Sequence, residues 1–261
     1  MNIAIVQAPL IWEDVTGNLM AFDARLLKID KADVIVLPEM FSSGFSMKGK
    51  EKIASQYDNV CQRMQVWAEN KQALVIGSTV FCVGRHFYNR LLAVFPSGET
   101  LTYDKRHRFT MGGENKHFVA GQQQLVFDYK GARFAPFICY DLRFPVWSRN
   151  VSGYDIAVYV ANWPQARRSV WQTLLKARAI ENQCYVVGVN CVGDDGRGVH
   201  YAGDSSVISP KGEVISYCNP YADETRQVEV NIEELREFRR AFPVLEDQDT
   251  FKIMKNRNKK R

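Results

Sequence analysis

Three short segments each carry an apolar run straight into a reactive side chain. Val34-Ile-Val-Leu-Pro-Glu-Met delivers Glu39, and Leu101-Thr-Tyr-Asp-Lys-Arg-His delivers Lys105. Arg133-Phe-Ala-Pro-Phe-Ile-Cys-Tyr-Asp-Leu-Arg-Phe-Pro delivers Cys139. Brought together, a thiol, a carboxylate and an ammonium make an activated nucleophile. An ordinary thiol, with a pKa of about 8.5, is only about 3% thiolate at neutral pH. Glu39 as general base would take its proton, and a neighbouring Lys105 cation is expected to favour the thiolate. Lys105 and the backbone N–H of Tyr140 would then face the oxyanion that forms on attack. One such donor is worth about 3–4 kcal/mol of barrier. Taken singly, each residue has a plainer reading. Cys139 can be an inert core thiol, Glu39 a helix cap, and Lys105 one solvated charge of Lys-Arg-His-Arg. Only the combination, in these flanks, outweighs those readings.

For the three side chains to meet, strand ends must hold them rigidly beside open loops. Apolar runs predict strands at 2–6, 34–37, 73–80, 88–95, 99–103, 125–129, 133–138, 155–161, 185–190, 205–208, 213–216 and 227–230. Helical spacing predicts helices at 18–30, 59–71, 170–183 and 232–241. Pro96-Ser-Gly, Lys130-Gly and Pro210-Lys-Gly mark hairpin turns. Pro145 is expected in the first turn of a helix after Cys139. The order does not fit a regular βαβ repeat. It fits an α/β fold, a four-layer α-β-β-α sandwich with two mixed central sheets and helices on the outer faces. A single domain is expected over 1–251, with a basic tail at 252–261.

Composition removes other classes. Of 261 residues, 46% are hydrophobic and 24% charged, an ordinary globular balance. No apolar run approaches the roughly 20 residues that span a bilayer. The opening Met1-Asn-Ile-Ala-Ile-Val-Gln lacks the character of a secretory leader. The net charge of +5 is a property of the tail, whose last ten residues hold six basic and no acidic side chains. The remainder holds 28 basic against 29 acidic residues, so a solvated terminus is expected there and nucleic acid is not an expected partner. Cysteines at 61, 82, 139, 184, 191 and 218 show no paired spacing, which implies a reducing compartment and a cytoplasmic location. Serine-elbow, P-loop, dinucleotide and zinc-histidine motifs are all missing.

Leu37-Pro-Glu-Met-Phe, Tyr103-Asp-Lys-Arg-His and Cys139-Tyr-Asp-Leu-Arg-Phe-Pro resemble the three signature segments of the nitrilase (carbon–nitrogen hydrolase) superfamily. Ala161-Asn-Trp-Pro and Ala177-Arg-Ala-Ile-Glu-Asn-Gln look like its later landmarks, so the likeness runs over nearly the whole chain. The omega-amidase branch is the nearest in pattern; its bacterial members cleave the terminal amide of 2-oxoglutaramate and 2-oxosuccinamate. The resemblance implies the α-β-β-α sandwich and a homodimer, with 238–251 a plausible contact. Cys139 would be the nucleophile, Glu39 the base and Lys105 the stabiliser of the tetrahedral intermediate. Glu114, in Met111-Gly-Gly-Glu-Asn-Lys-His, matches a second carboxylate that positions the lysine, although an ordinary loop acid stays open. A small-molecule amide would be hydrolysed through a thioester with no metal or organic cofactor.

A 2-oxo acid monoamide also presents a carboxylate, which needs a cation. Arg143 is the candidate, with a structural ion pair as the alternative. Tyr140 and Trp163 are candidate pocket walls, Trp163 equally a core residue, and His117 and Phe118 are placed over the mouth. Other readings are an aliphatic amidase, a nitrilase, an N-carbamoyl amino acid amidohydrolase, or a non-catalytic redox sensor built on Cys139.

Overall fold

Runs of β-branched and apolar residues become strands, and their two-residue period decides what each face covers. In the computed structural model, residues 1–254 are described. The order is β1 (Asn2–Gln7), α1 (Val15–Leu27), β2 (Val34–Val36), α2 (Lys50–Ala54), α3 (Tyr57–Lys71), β3 (Leu74–Val83), β4 (His86–Val94) and β5 (Thr100–Asp104). There follow β6 (Phe127–Tyr129), β7 (Ala132–Ile138), β8 (Ile156–Ala161), α4 (Arg168–Asn182) and β9 (Tyr185–Asn190). The chain continues through β10 (Val192–Asp194), β11 (His200–Ala202), β12 (Ser206–Ile208), β13 (Val214–Tyr217), β14 (Glu224–Glu229) and α5 (Ile232–Ala241).

Two six-stranded sheets result, ordered β14-β1-β2-β3-β4-β5 and β13-β12-β9-β8-β7-β6. Both are mixed. In the first, β1, β2 and β3 run parallel and the flanking strands antiparallel. In the second, β7, β8 and β9 form the parallel centre. The pairing of β1 with β14 brings Asn2 opposite Glu229.

Alternation along β1 and β2 sets the layers. Ile3, Ile5, Val34 and Val36 enter the core between the sheets, where they join Phe134, Phe137, Val158 and Val187. Ala4, Val6, Ile35 and Leu37 turn the other way, onto Leu19, Phe22 and Leu26 of α1 and Val60, Met64 and Trp67 of α3. On the second sheet, Trp171, Leu175 and Ala179 of α4 supply the covering face. The parallel centre is buried on both faces, which is why 156–161 reads as an unbroken apolar run. The expected α-β-β-α sandwich with two mixed sheets is the observed fold.

The differences are local. Helix α1 begins at Val15, earlier than the spacing suggested, because Asp14 caps it by accepting from Gly17 N at 3.0 Å. Cys139–Arg143 form a single 3₁₀ turn and Pro145 begins a further turn, so the expected helix there is absent. The β10–β11 hairpin and α2 were not foreseen. No described helix is long and apolar enough to cross a membrane. Of the proposed tail, 255–261 lies outside the described residues.

One close approach fixes the strand end that carries Lys105. Gly121 N donates to Lys105 O at 2.9 Å, and a Cβ on Gly121 would stand 1.9 Å from Asp104 O. Backbone cannot rotate away as a side chain can. Gly121→Ala should therefore lower stability by about 1–3 kcal/mol, read as a shifted urea midpoint; an unchanged midpoint would show that the two segments part freely.

Candidate active site

Glu39, Lys105 and Cys139 all stand just past strand ends. Those strands are β2 and β5 of the first sheet and β7 of the second, so face-to-face packing of the sheets brings the three together. Cys139 has a φ of 44°, in the left-handed region that non-glycine residues avoid. Such a residue costs on the order of 1–3 kcal/mol and persists only where its surroundings hold it.

Asp141 does that holding. Its Oδ2 accepts from Ile138 N at 3.1 Å and from the Tyr103 hydroxyl at 2.7 Å. Its Oδ1 accepts from His107 N at 2.8 Å and lies 2.8 Å from His107 Nδ1. One buried carboxylate thus ties the cysteine turn to the segment that bears Lys105. From the other side, Arg178 Nη2 donates to Leu142 O at 2.6 Å and fixes the turn to α4.

Beneath the thiol lies a buried ionic cluster. Lys105 Nζ is 2.8 Å from Glu39 Oε1 and 3.0 Å from Glu114 Oε2, with all three side chains at most 1% exposed. Asn89 Nδ2 donates to Glu39 Oε1 at 2.8 Å, and Asn162 N donates to Glu39 Oε2 at 2.7 Å. The Asn162 side chain also donates to the Glu39 carbonyl. Phe109 N donates to Glu114 Oε2 at 2.5 Å. Ser78 Oγ accepts from Met40 N at 2.8 Å and donates to Asn89 Oδ1 at 2.9 Å, which locks the base and its donor to one another.

Two carboxylates share one ammonium, and the titration of each group follows. Burial pulls Lys105 toward its neutral form, but the charges of Glu114 and Glu39 outweigh it and hold its pKa above the ordinary lysine value. Burial, with the charge of Glu39, raises the Glu114 carboxyl against the pull of Lys105. Burial and then Glu39 push the Cys139 thiol well above its usual range, and Lys105 only partly opposes them. Lys105 does favour the thiolate, as expected, but burial and Glu39 outweigh it. With both carboxylates so close, a third anion on the sulfur is disfavoured.

Above the cluster opens a cavity of about 490 Å³, walled by Phe45, Phe109, Tyr140, Arg143, Trp163 and Tyr201 among others. Its size suits a small organic molecule. Tyr140 packs edge-on against Phe109 and Phe144, with centroids 5.2 and 5.1 Å away. Trp163 is both wall and core: it is buried, with Nε1 donating to Arg167 O at 2.8 Å. Among the described residues Arg143 has no ion-pair partner, and its guanidinium lies 5.1 Å from the Trp163 ring centre. Phe118 is a core residue of the first sheet's helical layer, and neither it nor His117 lines the cavity, contrary to their expected place at its mouth.

Sequence reasoning missed Asn89, Asn162 and Asp141 as supports. Asn162 and Asp141 stand inside landmark segments. The remaining signal was Asn89, an amide in line with Leu91 and Ala93 on the face of β4 that enters the core between the sheets. The proton on Cys139 is directly measurable. The ultraviolet thiolate absorbance that Cys139→Ser removes should be missing at neutral pH and emerge only above about 8.5, the ordinary thiol value. A thiolate signal at pH 7 would overturn the electrostatic account.

The carbon–nitrogen hydrolase family pattern matches residues 2–240. The chain is 46% identical over 253 residues to omega-amidase YafV of Escherichia coli strain K12, covering 97% of this chain and 98% of that one. It is 32% identical over 252 residues to the 2-oxoglutaramate amidase of Bacillus subtilis strain 168, covering 94% and 96%. Among solved structures, XC1258 of Xanthomonas campestris superposes with a TM-score of 0.94 at 37% identity, covering 97% of this chain and 99% of that one. That protein is described as a CN-hydrolase superfamily member with an arsenic adduct in its active site. With the fold, the family pattern and full-length relatives in agreement, this chain belongs to the carbon–nitrogen hydrolase (nitrilase) superfamily.

Proposed function

We propose that the protein is an omega-amidase, which cleaves the terminal amide of small 2-oxo acid monoamides such as 2-oxoglutaramate and 2-oxosuccinamate to the dicarboxylic acid and ammonia. The observation that carries this reading is the buried Glu39–Lys105–Glu114 cluster beneath Cys139, at the foot of a cavity whose wall presents the unpaired Arg143. The names and near-complete coverage of the relatives support the same substrate class.

The chemistry proceeds in two halves. Cys139 Sγ attacks the amide carbon as its proton passes to Glu39, so the thiolate need exist only in the transition state. The oxyanion lies against Lys105 Nζ and the N–H of Tyr140. The carbon–nitrogen bond breaks and ammonia leaves with the proton from Glu39, which leaves a thioester. Glu39 then takes a proton from water as it attacks the thioester carbon. Collapse releases the acid, and the proton returns to sulfur. Glu114 keeps Lys105 oriented throughout. Arg143 takes the substrate carboxylate, while Tyr140 and Trp163 wall the acyl chain. The raised thiol pKa weighs against the redox-sensor alternative, which needs a low one.

The catalytic unit is assigned to 1–251, with 252–261 an appendage. The unpaired cysteines among the described residues support a reducing, cytoplasmic setting. Phe242 and Phe251, exposed on the 238–251 segment, support a homodimer contact there.

Ammonia release is the first test, with 2-oxoglutaramate beside a simple aliphatic amide, a nitrile and an N-carbamoyl amino acid. Turnover of the 2-oxo acid amide should far exceed that of every other member of the panel, and Cys139→Ala should retain less than about a hundredth of it. Activity only on another member of the panel would replace the substrate class. Arg143→Lys should reduce kcat/KM for carboxylate-bearing amides more than for neutral ones; equal losses would remove Arg143 from the carboxylate site.

A further inference from the structure

The cavity lining is unbalanced in charge. Arg143, Arg167 and Arg197 all reach it, as does Lys105, and no aspartate or glutamate is part of the lining. Lys105 is held by Glu39 and Glu114 below, and Arg197 lies 3.2 Å from Asp195. Among the described residues, neither Arg143 nor Arg167 has a carboxylate within ion-pair distance or a hydrogen bond from its guanidinium. Each is seated on an aromatic face instead, Arg143 at 5.1 Å from the Trp163 centroid and Arg167 at 5.2 Å from that of Phe109. A ring face holds a guanidinium by its charge and leaves the in-plane N–H donors unspent.

The two seats are linked to each other and to the nucleophile. Trp163, which carries Arg143, also donates from Nε1 to the Arg167 carbonyl at 2.8 Å. Phe109, which carries Arg167, packs at 5.2 Å on Tyr140, the neighbour of Cys139. Both cations are therefore held at a set offset from the sulfur, with their donors free.

We propose that Arg167 forms with Arg143 a two-guanidinium clamp for the carboxylate end of the substrate, and that this clamp selects 2-oxo acid amides over the corresponding 2-amino acid amides. The proposal rests on the amidase reading above and assigns its specificity. A 2-oxo acid offers only acceptors at that end, a carboxylate and a carbonyl, which suit a set of donors. Replacing the oxo group by an ammonium places a cation beside two others. Glu39 and Glu114 lie buried below the cavity and are engaged by Lys105, while Asp195, behind the wall, is engaged by Arg197 and the Tyr201 hydroxyl. The ammonium would shed water without gaining a counter-charge, and discrimination follows from that unpaid desolvation as much as from the clamp.

The test compares kcat/KM for 2-oxoglutaramate, glutamine and butyramide in the wild type, Arg167→Gln and Arg167→Glu, with thermal melting to confirm folding. In Arg167→Gln the preference for 2-oxoglutaramate over butyramide should fall roughly tenfold to a hundredfold, equivalent to one charge-assisted hydrogen bond, and mainly through KM. In Arg167→Glu glutamine should gain on 2-oxoglutaramate by at least a further tenfold. Folded variants that keep both ratios within about threefold of the wild type would overturn the clamp and leave the amidase reading standing. A wild type inert on 2-oxoglutaramate would overturn both.

Discussion

The structure turns on one buried ammonium shared by two carboxylates. Removing three charged groups from solvent is expensive, and the Coulomb attraction between them repays it only when their remaining hydrogen-bonding capacity is met. Here Asn89, Asn162 N and Phe109 N supply those donors. The two carboxylates also disfavour a third anion on the sulfur above them.

Such a cluster needs scaffolding that neither sheet provides alone. Glu39 and Lys105 come from one sheet and Cys139 from the other, so their spacing is the spacing of the sheets. Asp141 spans that gap, with hydrogen bonds to the cysteine turn and to Tyr103 and His107 on either side of Lys105. The left-handed turn at Cys139 is tolerated because this carboxylate and Arg178 hold it from opposite directions. The core between the sheets, from Ile3 to Val187, serves catalysis by fixing a distance.

Much of this was legible in the sequence, for reasons that differ by residue. The strands at 34–36, 134–138 and 156–161 announce themselves because a β-strand buried on both faces leaves an uninterrupted apolar run. Glu39 and Cys139 are legible because each follows such a run, and Lys105 because it follows a hairpin arm and its chemistry complements theirs. Asn89 and Asn162 were not assigned, since they stand 50 and 123 residues from the carboxylate they serve and no local pattern encodes that meeting. That burial and Glu39 outweigh Lys105 at the thiol was not legible for a related reason. Proximity to a lysine is readable from the motifs, whereas the balance of burial and two carboxylates exists only once the sheets close. Pro145 opens a turn because Asp141 and Arg178 bind the preceding residues into a 3₁₀ conformation.

The pairing of β1 with β14 places a condition on how the molecule is made. Residues 2–7 sit inside the first sheet, and one of their two hydrogen-bonding edges is matched only by residues 224–229. During synthesis that edge emerges early and stays open until nearly the whole domain has been translated. Contacts so distant in sequence make closure slow, and an unpaired apolar strand is a template for association with other chains. Until residues 224–229 emerge, the nascent chain therefore carries an open apolar edge in β1, a burden set by topology alone.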